Sequence, residues 1–148
     1  MARMTRESWR RQRDSDLRAK IRRYGYTVLH IGGGCDDPAC TEPHSPLSEQ
    51  FGYTVGLTEH GHPELLVSGL VALDSYRLLN NLGHNIVDHG DRLRPGELID
   101  FGGFGIGAVV EIEDSSRQLT VANEFYRVPY RLPIAALRVV VAGSDRFN

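Results

Sequence analysis

The stretch Phe51–Leu70, FGYTVGLTEHGHPELLVSGL, decides how this chain folds. Its first part sets Phe51, Tyr53, Val55 and Leu57 against Gly52, Thr54 and Gly56 in strict alternation. A period of two belongs to a strand, and β-branched and aromatic residues suit its pleated surface. Glu64–Leu70 is a second run of strand composition. Between them, Thr58-Glu59-His60-Gly61-His62-Pro63 carries the glycine and proline of a chain reversal. The spacing predicts a β-hairpin with a longer loop. A hydroxyl between two glycines leaves room above the first strand, to be filled by a ligand or by another element packed close. Tyr53 and Thr54 are candidate ligand-binding residues on that ground.

Working outward, Ala72, Tyr76, Leu79, Leu82 or Gly83, and Ile86 recur at helical spacing, with Gly90 placed as a C-terminal cap. Arg94-Pro95-Gly96 reads as a turn, Leu98–Phe101 as a short strand and Phe104–Glu113 as a firmer one. Leu119–Arg127 reads as a helix showing Leu119, Ala122 and Tyr126. Pro129 and Pro133 bound a linker before Ile134–Val141, whose almost wholly apolar composition suits a strand in the middle of a sheet. Upstream, Leu17, Ile21 and Tyr24 form the stripe of a helix from Asp14 that Gly25 ends, and Tyr26–Ile31 is a strand. Residues 1–13 then form a basic arm, 14–143 a single domain and 144–148 a tail. The order α-β-β-β-α-β-β-α-β puts strands in runs. This predicts an α+β fold with a mixed or mainly antiparallel sheet packed against two or three helices.

With 148 residues, 41% of them hydrophobic and 24% charged, the chain can bury a core without disulfides. No apolar run approaches the ~20 residues of a membrane span, and the arginine-rich N-terminus has no apolar segment of a secretory signal behind it. A cytoplasmic location is the expectation. The net charge of −2 hides an asymmetry: residues 1–25 carry nine basic side chains against Glu7, Asp14 and Asp16. A basic arm on an acidic body could contact nucleic acid or an acidic protein partner; a solvated helix face paired with the protein's own acidic surface is the simpler reading.

Three groups of residues could carry chemistry. Cys35-x4-Cys40-x3-His44 gathers thiolates and an imidazole, the ligands Zn²⁺ prefers, in a long Gly- and Pro-rich loop. A fourth ligand would have to come from His30, His60 or His62. His60-x-His62-x-Glu64 could hold a metal with open positions, or supply His62 as general base with Glu64 orienting it. Gly103-x-Gly105-x-x-Ala108 matches a loose dinucleotide fingerprint, but a strand-like segment follows where that motif needs a helix. Alternating glycines there bare a strand for close packing instead.

At Tyr53-Thr54-Val55-Gly56-Leu57, Gly61-His62-Pro63-Glu64-Leu65 and Gly69-Leu70 the chain resembles a bacterial domain-of-unknown-function family, number 4262 in that series. Tyr24-Gly25-Tyr26, Leu78-Leu79-Asn80 and Gly90 extend the likeness, which covers roughly residues 17–142. The chain departs from the family pattern at Tyr26, where tryptophan is usual. It departs again at Val141-Ala142-Gly143, where a tryptophan-proline-aspartate stretch is usual. The resemblance implies a shared fold and supplies no catalytic residues.

Two readings remain open. In the first, the 32–50 loop and the 51–64 hairpin line a pocket for a small molecule or peptide, with Tyr53, Thr54 and His60 as contacts and zinc as a stiffener. In the second, the domain is a small hydrolase- or isomerase-type enzyme using His62 and Glu64, with or without a metal. Nucleic-acid association through the basic arm is a third, weaker idea.

Overall fold

The computed structural model of the chain describes residues 5–32, 46–126 and 133–141. Helix α1 runs Arg6–Tyr24. It begins at a Thr5 cap, whose hydroxyl accepts the Ser8 N–H at 3.0 Å, and ends at Gly25 in the left-handed region. The expected start at Asp14 is therefore too late, and residues 6–13 are helical. Periodicity misses this part because only Leu17 and Ile21 are buried along the whole helix. The first turns are held by the cap and by local pairs such as Gln12 donating to Asp16, both exposed. Tyr24, expected on the apolar stripe, is 59% exposed.

The strands are β1 Thr27–Ile31, β2 Phe51–Val55, β3 Glu64–Ser68, β4 Leu98–Asp100, β5 Ile106–Ile112 and β6 Ala136–Val140. Among the described residues the other α-helices are α2 Ala72–His89 and α3 Thr120–Tyr126. One six-stranded sheet has the order β1-β2-β3-β6-β5-β4. Among the described strands only β3–β6 is parallel. The fold is α+β with a mixed sheet, and β6 lies in the interior as its composition predicts. The β2–β3 hairpin forms with Tyr53 opposite Leu66. Its connection is a 3-10 turn, Leu57–His60, followed by Gly61 in the left-handed region.

Each face of the sheet buries its own apolar layer. Leu65, Val67, Val109, Leu137 and Val139 meet Leu78, Leu79, Leu82 and Ile86 of α2. On the opposite face Tyr53, Val55, Leu66 and Ala136 meet Ile21 of α1, Ala122 of α3 and Leu119 just before α3. At about 25 cal/mol per Å² of apolar surface, each fully buried leucine contributes on the order of 2 kcal/mol. Glycines set the spacing between layers. A Cβ on Gly52 would stand 3.1 Å from the Ser75 Cβ of α2, so the space above β2 is filled by the helix. One on Gly107, inside β5, would land on the Val140 carbonyl, so close strand packing holds at that glycine; Gly103 and Gly105 instead belong to a 3-10 turn, Gly102–Phe104, and its cap, and a Cβ on Gly103 would meet nothing.

Gly83 of α2 seats the Tyr26 ring, whose Cε2 would lie 2.6 Å from an added Cβ, while the Tyr26 hydroxyl donates to the Asn80 carbonyl at 2.8 Å. Alanine at 83 gains ~1 kcal/mol of helix propensity, but overpacking costs ~1–3 kcal/mol. Gly83→Ala is therefore expected to lower stability by about 1 kcal/mol in a denaturant titration. An increase would mean that the ring swings away freely.

Candidate functional site

The histidine-bearing turn is built around one carboxylate. Glu64 opens β3 with no solvent exposure. Gly56, at φ 127°, bends the chain so that three consecutive amides aim at its side chain. Gly56 N–H donates to Oε2 at 3.1 Å, Leu57 N–H to Oε1 at 3.2 Å and Thr58 N–H to Oε2 at 2.9 Å. The Thr54 hydroxyl adds a bond of 2.7 Å to Oε1 and the Thr58 hydroxyl one of 2.6 Å to Oε2. Thr54 Oγ1 in turn accepts the Leu65 N–H at 2.9 Å, locking the two strands of the hairpin together. Burial pushes the Glu64 carboxyl above its usual range, against the opposing pull of the Thr58 and Thr54 hydroxyls and of the Thr58 and Gly56 amides.

His62 is 3% exposed and both ring nitrogens are engaged. Nε2 accepts the Leu93 N–H at 3.0 Å, which assigns the proton to Nδ1, and Nδ1–H donates to the Pro63 carbonyl at 2.8 Å. Burial holds the imidazole below its ordinary pKa, opposed by the Pro63 bond and reinforced by Arg92. Arg92 also donates to the Gly61 carbonyl at 2.8 Å, so the turn anchors the segment after α2 at two points. The expected pairing of Glu64 with His62 does not form. The imidazole turns to Pro63 and Leu93, and the carboxylate is filled by residues 54–58.

The proposed contacts part in the same way. Tyr53 is buried, its hydroxyl accepting the Val121 N–H at 3.1 Å near the start of α3. Thr54 is buried on Glu64. His60 is exposed, with Nε2–H directed at the Gly25 carbonyl at 3.1 Å. Of the three, only His60 reaches the surface. Cys35, Cys40 and His44 lie outside the described residues. Among the described residues no three His, Cys, Asp or Glu side chains are grouped to hold a metal. None of the described helices is long and apolar enough to cross a membrane.

The open surface lies elsewhere. A groove of about 440 Å³ is lined by Lys20 and Tyr24 of α1, Tyr26, Thr27 and Val28, and Tyr76 and Asn80 of α2. Because α1 and α2 cover opposite faces of the sheet, a groove touching both crosses the outer edge of β1. On the α1 side, a second depression of about 300 Å³ lies between Trp9, Leu17, Lys20 and Leu29. The basic side chains of α1 are partly engaged at home: Arg13 bridges Glu124 at 3.2 Å, and Arg18 and Arg23 lie over the Phe125 and Tyr24 rings. Sequence reading missed the groove because Tyr24 and Tyr76 fall at helical spacing and pass for core. Their exposures of 59% and 38% come from where the sheet edge ends.

A protein-family model described as "Domain of unknown function (DUF4262)" matches residues 20–146. The chain belongs to this family. The match takes in the whole sheet, α2, α3 and the Glu64 turn, and begins at Lys20, leaving most of α1 outside it. No curated protein and no solved structure matches the chain.

Proposed function

We propose that this domain is a binding module whose ligand site is the groove across the edge of β1, rather than a catalyst built on His62 and Glu64. The observation that carries this reading is the division of the polar residues. Thr54, His62 and Glu64 satisfy one another or the backbone inside the protein. Lys20, Tyr24, Tyr76 and Asn80 instead open to solvent around one concave surface. A concave site with aromatic walls and a few polar groups suits recognition of a small molecule or a peptide. A hydrolase or isomerase would need the His62 lone pair for a substrate proton, and that lone pair is occupied by the Leu93 amide.

Amide chemical-shift mapping with a mixed set of capped dipeptides and small aromatic acids and amines tests this reading. Shifts should gather at Lys20, Tyr26–Val28, Tyr76 and Asn80. Tyr76→Ala should abolish them while changing stability by no more than about 1 kcal/mol, as expected for a half-exposed side chain. Shifts centred on His62 and Glu64 would restore the enzyme reading.

A further inference from the structure

Strand β1 ends the sheet on one side, and its sequence lacks the devices that keep such an edge from pairing. Thr27-Val28-Leu29-His30-Ile31 contains no proline, lysine or other formally charged residue. Natural edges are blunted by these features, by bulges, by shortness or by a covering element. The opposite edge, β4, is only three residues long, whereas β1 runs for five in regular register with β2. Among the described residues no further strand pairs with β1, and no other hydrogen bond reaches its main chain. The groove described above crosses this edge, the depression lies on its α1 side, and the two meet at Lys20.

We infer that β1 takes up an extended acidic peptide segment as a seventh strand of the sheet. The inference rests on the binding reading above and names the ligand. Strand addition supplies main-chain hydrogen bonds along the edge, and successive side chains of the incoming strand point to opposite faces. An apolar side chain on the α1 face enters the depression formed by Trp9, Leu17 and Leu29. The neighbouring side chains reach the Tyr26 and Tyr76 side, past Lys20.

Charge selects the acidic peptide. Lys20 has no acidic partner among the described residues, and Arg23 only covers the Tyr24 ring. Arg13, on the same side, is neutralised by Asp14 and Glu124. Asp16 is the one acidic side chain lining either hollow, and the exposed Gln12 amide donates to it at 3.1 Å. Asp88 acts on Tyr26 from the α2 side of the groove; on the α1 side the field is that of a helix rich in arginine, which steers a negatively charged strand toward that side of the edge and repels a positive one.

The test uses the full chain and two capped peptides, acetyl-EVEVE-amide and acetyl-KVKVK-amide. Trp9, the single tryptophan, reports binding by fluorescence, and hydrogen exchange reports on the amides of Thr27–Ile31. The acidic peptide should shift Trp9 emission and slow exchange along β1, and the basic one should do neither. Lys20→Glu should weaken the acidic peptide about tenfold. Methylating alternate peptide nitrogens should abolish binding without changing charge. Shifts at Tyr76 and Asn80 without slowed exchange in β1 would overturn strand addition and leave the groove as a site for another ligand. Absence of any response at the groove to peptides and small molecules alike would sink both readings. Light scattering showing a dimer whose β1 amides are already protected would assign the edge to a second copy and overturn the peptide.

Discussion

Replacing Glu64 with glutamine is expected to cost about 3 kcal/mol of folding free energy, although the two side chains are nearly the same size. The carboxylate offers acceptors to three backbone N–H groups that have been withdrawn from water. Glutamine offers one oxygen and an NH2. With the NH2 at the Oε2 position it faces the Gly56 and Thr58 amides; flipped, it faces Leu57. Either way at least one buried N–H opposes another donor, at roughly 1–3 kcal/mol each. The raised pKa of Glu64 does not contradict this. Desolvation makes the charge itself expensive, yet removing it strands the donors arranged around it, and the second cost is the larger one. Against a typical stability of about 5–15 kcal/mol the loss is severe but survivable. Glu64→Ala adds a cavity and orphans all three amides, and should leave little folded protein. Urea titration at neutral pH measures the difference. A midpoint within experimental error of the parent would show that the turn holds its shape without the carboxylate.

The β2–β3 hairpin, α2 with its Gly90 cap, and β6 in the sheet interior follow from local composition and periodicity, because core packing demands those patterns. The α1 start at Thr5 did not follow, since a helix held by a cap and ion pairs has no apolar period to read. The purpose of His60-x-His62-x-Glu64 also stayed hidden. Histidine and glutamate look reactive in any sequence, and only the tertiary positions of Gly56, Leu93 and Pro63 show their lone pairs and protons already taken. The β1 groove is legible only once the strand order is known, because strand order decides which edge is left open.

His62 provides the second large effect, and it separates a structural histidine from a catalytic one. His62→Ala removes the acceptor of the Leu93 amide and the donor to the Pro63 carbonyl, and leaves a hole under a residue that is 3% exposed. A stranded amide plus a partly collapsed cavity amounts to about 2–4 kcal/mol. For a chain of this length that is roughly 5–15 °C in melting temperature. A catalytic base on a free surface would leave the melting temperature almost unchanged. The pH dependence carries the same signature, and its sign follows from the depressed pKa of the folded imidazole. About one pH unit above the unfolded pKa of ~6.5, neither the folded nor the unfolded histidine holds the extra proton, and the His62 contribution is fully present. As pH falls below that value the unfolded chain binds the proton first. Stability then declines by up to ~1.4 kcal/mol per pH unit until the folded pKa is passed. Protonation also converts Nε2 from acceptor to donor and breaks the bond to Leu93. Glu64, with its pKa raised, acts in the opposite sense: its folded form takes up a proton more readily than the unfolded chain as pH falls. The His62 share is therefore read as the difference between the parent and His62→Ala across pH 5–8. That difference should be largest near neutrality and shrink on the acid side. A difference independent of pH would mean that the imidazole is not held neutral by Leu93 and Pro63, and the assignment of its tautomer would fall with it.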